Sequence, residues 1–194
     1  MSRLDLIVGP NGAGKSTFVE FVLAGRRPGV PFVNADVIAA ERWPDDPAGH
    51  GHDAALAAER IRDELIEMGE AFIAETVASH ESKVGLVRRA RQAGYHVHLL
   101  VIAVPEELAV VRVRLRVEAG GHDVPEDKIR ARHRRLWDNV AAMIELADSA
   151  EVFDNSGSRP QTVAVFVAGT VVGRPRWPAW IPSVFEGRWP SPHD

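Results

Sequence analysis

The stretch Gly9-Pro10-Asn11-Gly12-Ala13-Gly14-Lys15-Ser16 constrains the fold of this chain more than any other. It is a glycine-rich loop ending in Lys-Ser, set between an apolar run from Leu4 to Val8 and a segment of helical patterning that opens at Ser16-Thr17. A strand that delivers such a loop to a helix N-terminus brings successive backbone amides together on one anion, and the helix dipole favours the same charge. Gly9 to Thr17 are therefore expected to cradle the phosphates of a nucleoside triphosphate. Lys15 reaches the β and γ phosphates in this reading, and Ser16 ligates Mg²⁺.

The rest of the chain supports the layered fold that such a loop requires. Short apolar runs at Leu4 to Val8, Pro31 to Val33, Ala71 to Ile73, His96 to Val104, Glu151 to Phe153 and Thr162 to Val167 read as strands. Helical patterns lie between most of them, at Ser16 to Leu23, His52 to Glu67, Ser82 to Gln92, Glu106 to Val117 and Glu126 to Ala147. This alternation predicts a three-layer α/β fold, a mostly parallel sheet with helices on both faces. With 194 residues, one kinase-sized domain over 1–172 is expected, followed by a Pro/Trp-rich tail over 173–194 that packs on it. The tail is read as irregular, pinned by its tryptophans. Pro125 suits a first helical position, and Gly120-Gly121 permits a sharp break before it, so residues 112–135 read as a helix-loop-helix lid. In the second lid helix Ile129, Leu136, Val140 and Ile144 form the apolar stripe.

Several classes of function fall away. The chain has no cysteine, which removes disulfide frameworks, thiolate metal sites and cysteine nucleophiles. No export leader precedes Leu4, and the longest apolar runs fall far short of the roughly 20 residues that span a bilayer. A cytoplasmic protein with no membrane attachment is expected. A net charge of -4 gives no general attraction to nucleic acid, so the arginines between Arg112 and Arg135 need a local explanation. Neither the Asn-Lys-x-Asp string of a GTPase nor the Leu-Ser-Gly-Gly-Gln string of a transporter ATPase occurs. A compact phosphotransferase survives best, with a regulatory ATPase and a polynucleotide kinase as alternatives.

In a parallel sheet the C-terminal strand ends line the ligand crevice, which draws attention to the residues placed there. Asp36, in Asn34-Ala35-Asp36, can take a proton from a substrate hydroxyl or hold Mg²⁺ through water, or it can cap a helix from Val37 onward. Glu75 and Thr76 follow the next strand and can contact an acceptor, Glu75 also through magnesium water. Arg112 and Arg116 share one helical face, with Arg130 and Arg132 beyond the break; such cations can neutralise a transferring phosphoryl group or pair with nearby carboxylates. His122 is read as a loop or lid contact. Asn155 and Ser156 are a turn with an optional contact to the nucleoside.

Taken in order, these segments resemble the zeta toxin family of P-loop kinases and its UDP-N-acetylglucosamine kinase relatives. The resemblance runs from Gly9-Pro10-Asn11-Gly12-Ala13-Gly14-Lys15-Ser16-Thr17 through Asn34-Ala35-Asp36 and Phe72-Ile73-Ala74-Glu75-Thr76. It continues through Arg112-Val113, Arg116-Val117, Gly120-Gly121-His122-Asp123-Val124-Pro125 and Ile129-Arg130 to Asp154-Asn155-Ser156. It implies a kinase that uses ATP and Mg²⁺, with Lys15 and Ser16 on phosphate and metal and Asp36 as the base. Glu75 and Thr76 then contact the acceptor sugar, and Arg116 and Arg130 stabilise phosphate. The implied acceptor is a nucleotide sugar such as UDP-N-acetylglucosamine, and the resemblance admits an antitoxin protein as a partner.

Overall fold

Strand β1 (Arg3–Val8) carries Leu4, Leu6 and Val8 to one side and Ile7 to the other, all fully buried. A strand buried on both faces belongs in the middle of a sheet covered by helices. The computed structural model, which describes residues 2–121 and 124–191, places it so. The elements follow as α1 (Lys15–Phe18), continued by a π-helical turn (Val19–Leu23), β2 (Phe32–Val33), α2 (Ala35–Arg42), α3 (Gly51–Met68), β3 (Phe72–Thr76) and α4 (Ser82–Gln92). Then come β4 (His96–Ala103), α5 (Glu106–Glu118), α6 (Glu126–Leu146), β5 (Ser149–Asp154), β6 (Gln161–Val167), β7 (Thr170–Val171) and α7 (Ser183–Arg188). The seven strands form one sheet in the order β2-β3-β1-β4-β5-β6-β7.

β1 to β5 run parallel, whereas β6 and β7 pair antiparallel at one edge. Only residues 155–160 separate β5 from β6, too few for the helical crossover that a parallel neighbour needs. Two cores lie on the two faces. Leu4, Leu6, Leu99 and Val101 pack with α3, α4 and most of α6, while Ile7, Leu100 and Ile102 pack with α1 and α5. Helix α6 joins both, because Ile129 enters the second core and Leu136, Trp137 and Val140 enter the first. It therefore crosses from one face to the other. Each fully buried Leu, Ile or Phe contributes roughly 1.5–3 kcal/mol.

Four expectations are revised. The stretch after β2 is a helix, α2, whose N-cap is Asn34; its Oδ1 accepts from the Asp36 amide at 2.7 Å. Strand β3 extends to Thr76, so Glu75 and Thr76 are its last two residues. The tail contains the short helix α7, with Phe185 fully buried against Trp137, Trp177 and Trp189. At α6, Pro125 is the N-cap, one position outside the helix. Among the described residues no helix is long and apolar enough to cross a membrane.

Candidate active site

The parallel register sets the C-terminal ends of β1 and β3 level, with Val8 beside Thr76 on one side and, on the other, Val101 of β4, which runs on to Ala103. The loop leaving Val8 therefore emerges between two strands, where backbone space is scarce. A Cβ on Gly9 would run into the carbonyl oxygen of Ile102, and one on Gly12 would lie 2.5 Å from that of Ala109. Gly12 and Gly14 also take φ of 74° and 84°, left-handed conformations that glycine adopts without steric cost. Asn155 braces the loop from the end of β5: its Nδ2 donates to Ala13 O at 2.7 Å, and its own carbonyl accepts from Arg112 Nη1 at 2.9 Å. These bonds commit Asn155 and Arg112 to holding the loop's shape.

Lys15 is buried, and its ammonium donates to Pro10 O at 3.0 Å and sits 3.7 Å from Glu75 Oε1. Burial pulls its pKa below the ordinary lysine value, against the opposing effect of Glu75 and Asp36. Glu75 is the hub of the arrangement. Its Oε2 accepts from Ser16 Oγ at 2.9 Å and from Asn34 Nδ2 at 2.8 Å, so one carboxylate ties β3 to the loop and to the start of α2. The link from Glu75 to Ser16 spans 59 positions and is invisible in local patterning.

Asp36 lies in the first turn of α2 with its side chain exposed on the wall of the same cleft. Asn34 does the capping, which leaves the Asp36 carboxylate with no hydrogen bond or ion pair among the described residues. The cleft, about 1340 Å³, is larger than a single-ligand pocket and is lined by the loop, Asp36, Glu75, Thr76 and a set of cations from α3 to α6.

The cations of α5 and α6 separate by helical phase. Arg116 from α5 and Lys128 and Arg132 from α6 line the cleft, whereas Arg130 does not. Positions 128 and 132 lie about 40° apart around a helix and position 130 about 200° from 128, so a face that shows the first two hides the third. Arg130 instead meets Glu106 at 3.0 Å, Glu107 at 2.5 Å and Glu126 at 2.9 Å, which raises its pKa and ties α6 to the start of α5. The sequence pairs Arg116 with Arg130 as phosphate ligands; here Arg130 is held by Glu106, Glu107 and Glu126, while Arg132 lines the cleft with Arg116. Gly120, at φ 85°, ends α5, and the Gly121 amide donates to Arg116 O at 2.9 Å. His122 and Asp123, read as lid residues, lie outside the described residues.

Comparison with known proteins agrees with this fold. A family model described as zeta toxin matches residues 3–161. An uncharacterized protein of Haemophilus influenzae (strain Rd) is 31% identical over 127 residues, covering 64% of this chain and 88% of its own length. The fold is similar to a structure from the PezAT chromosomal toxin-antitoxin system of Streptococcus pneumoniae, with a TM-score of 0.64 and 17% identity over 82% of this chain and 71% of that one. It is also similar to the AvrRxo1-ORF1:-ORF2 complex solved with ATP, with a TM-score of 0.62 and 15% identity over 99% of this chain. This chain spans 64% of that protein's length, and at such identities the likeness is one of fold.

Proposed function

The chain belongs to the zeta toxin family of P-loop kinases, and on that premise we propose that it transfers the γ-phosphoryl group of ATP to a hydroxyl of a small molecule, a nucleotide sugar such as UDP-N-acetylglucosamine. The observation that carries the reading is the unengaged Asp36 carboxylate, which shares one cleft with the phosphate cradle. A volume of about 1340 Å³ leaves room for a nucleotide and an acceptor side by side.

The loop amides and Lys15 hold the β and γ phosphates, and Asp36 accepts the proton of the attacking hydroxyl. Arg116 and Arg132 face the charge that spreads over the transferring oxygens. Thr76 faces the acceptor. The donors around Ser16 fit Mg²⁺, which takes oxygen ligands and keeps waters and substrate phosphates in its shell; Ser16 would hold it, with Glu75 2.9 Å away to orient its water. Bound there, the ion supplies countercharge to the phosphates. Among the described residues no three His, Cys, Asp or Glu side chains form a metal cage, and Mg²⁺ held largely by phosphates and water needs none. A protein partner of antitoxin type belongs to the same reading, supported by the toxin-antitoxin system of the Streptococcus pneumoniae neighbour.

The test is mass spectrometry of a metabolite extract incubated with the protein, ATP and Mg²⁺, beside a Lys15→Ala control. A sugar nucleotide that gains one phosphate with the wild type and not with the control is the expected result. Phosphate release with no phosphorylated acceptor, or transfer to an oligonucleotide alone, would overturn the proposal.

A further inference from the structure

The cleft has a second concentration of positive charge, built by helices that contribute nothing to the phosphate loop. Arg62, in the fourth turn of α3, is only 4% exposed, yet no hydrogen bond or ion pair holds its guanidinium among the described residues. It lines the cleft. Lys83, in the first turn of α4, is half-buried and lines the same cleft, and its ammonium is likewise without a hydrogen bond or ion pair among the described residues. Buried guanidinium groups are ordinarily paired, because a charge removed from water must be compensated. An unpaired one that opens onto a cavity calls for an anion supplied from the cavity.

The neighbouring charges do not meet that need. Asp63 is engaged by Arg89 at 2.9 Å, and Glu59 is the other carboxylate that acts on both Arg62 and Lys83. Three cations, Arg62, Lys83 and Arg89, thus stand against two carboxylates. Burial depresses the pKa of both, a cost that a bound anion would offset. The region is also electrostatically distinct from the phosphate cradle: Glu75, Asp36 and Arg116 act on Lys15, whereas Glu59, Asp63 and Arg89 act on Arg62 and Lys83.

We propose that Arg62 and Lys83 form a second anion subsite in the cleft, which holds a phosphate or carboxylate group carried by the acceptor while its hydroxyl is presented to Asp36. The acceptor is then an anionic molecule, and this subsite selects it over neutral hydroxyl compounds. The acceptor's part in this rests on the kinase reading above; the subsite itself does not. Arginine offers a planar fork to two oxygens and lysine a mobile point charge, a combination that suits a phosphate or carboxylate better than a hydroxyl.

The subsite is tested by calorimetry on the full chain saturated with Mg²⁺ and a non-hydrolysable ATP analogue, so that the phosphate loop is filled. Inorganic pyrophosphate and malonate are titrated separately as phosphate and carboxylate probes. Saturable binding of either is expected, and the tighter of the two assigns the group. Lys83→Ala and Arg62→Gln should each weaken the bound probe by roughly tenfold or more, as loss of a charge-assisted contact does, with the affinity for the ATP analogue unchanged. Absence of binding by both probes, or equal binding to wild type and variants, overturns the subsite. Should Arg62→Gln fail to fold, Lys83→Ala, at a half-buried position, carries the comparison. A chain that binds the probe as expected but phosphorylates nothing in the extract would sink the kinase reading and leave the subsite. A neutral acceptor phosphorylated equally well by wild type and Lys83→Ala would leave the kinase reading and overturn the acceptor's place in the subsite.

Discussion

Asn34 and Asp36 stand two positions apart at the start of α2 and divide two tasks that either residue type can perform. Asn34 takes the cap, accepting from the Asp36 amide, and its Nδ2 reaches Glu75. Asp36 is thereby left exposed and unengaged on the cleft wall. The substitution Asp36→Asn keeps the shape and removes the charge and basicity, so transfer should fall by roughly 10²- to 10⁴-fold while ATP affinity holds. A near-normal transfer rate at saturating Mg²⁺ would show that Asp36 is no base. The loop residues Gly9 to Thr17 were legible in the sequence because their expected roles follow from adjacent positions on one strand-loop-helix unit. The hub at Glu75 was legible only as an acid near a strand end, since its partners Ser16 and Asn34 come from elsewhere in the chain. Asn155 was less legible still. Its bond to Ala13 O connects two loops that only the parallel order of β1, β4 and β5 brings together.

Helices α5 and α6 carry several arginines, and their phase about the helix axis decides which of them reach the cleft. A motif fixes the order of residues but not the rotation of a helix against its neighbour, so it does not tell that Arg130 meets carboxylates while Arg132 lines the cleft. Its three carboxylates come from both helices, so it acts as a clasp. Arg132→Ala should lower kcat by about 10²-fold with a smaller change in KM for ATP, because its charge acts where charge develops. Arg130→Ala should leave the chemistry much closer to wild type and lower the melting temperature slightly, as expected for exposed ion pairs. A larger kcat loss in Arg130→Ala than in Arg132→Ala would reverse the assignment. The same contrast between local and non-local information explains the elements. β1 and β4 announced themselves as apolar runs, whereas α2 hid behind a strand of only two residues and α7 behind the prolines around it. Packing of Phe185 against Trp137 decides α7, and that contact joins segments 48 positions apart.

The whole molecule keeps its chemistry at one edge of the sheet and a cluster of interior charge toward the other. At the cleft-remote end, Asp5 is fully buried and meets Arg3 at 2.6 Å, Arg27 at 3.3 Å and His98 at 3.0 Å; His98 reaches Glu151 at 3.3 Å. The tail stabilises a different region, and Phe185→Ala should cost roughly 3–5 kcal/mol in urea unfolding, the usual result of emptying an aromatic site. The charge cluster predicts how stability varies with pH. Burial alone would lower the His98 pKa, but its hydrogen bonds to Asp5 and Glu151 outweigh this and raise it above 6.5. Its stabilisation is therefore complete below 6.5 and is lost as pH rises through the raised value. Burial would raise Asp5, but His98, Arg3 and Arg27 together hold it below 3.8, and the bond to His98 holds Glu151 below 4.5. Those contributions are present above the ordinary carboxylate values and are lost as pH falls through the lowered ones. The cluster thus stabilises most between 4.5 and 6.5. The urea midpoint of the wild type should drop as pH rises above 6.5, and His98→Gln, which keeps a donor but cannot titrate, should flatten that drop. An equal drop in the variant would place the alkaline sensitivity elsewhere and leave the cluster a fixed ion network.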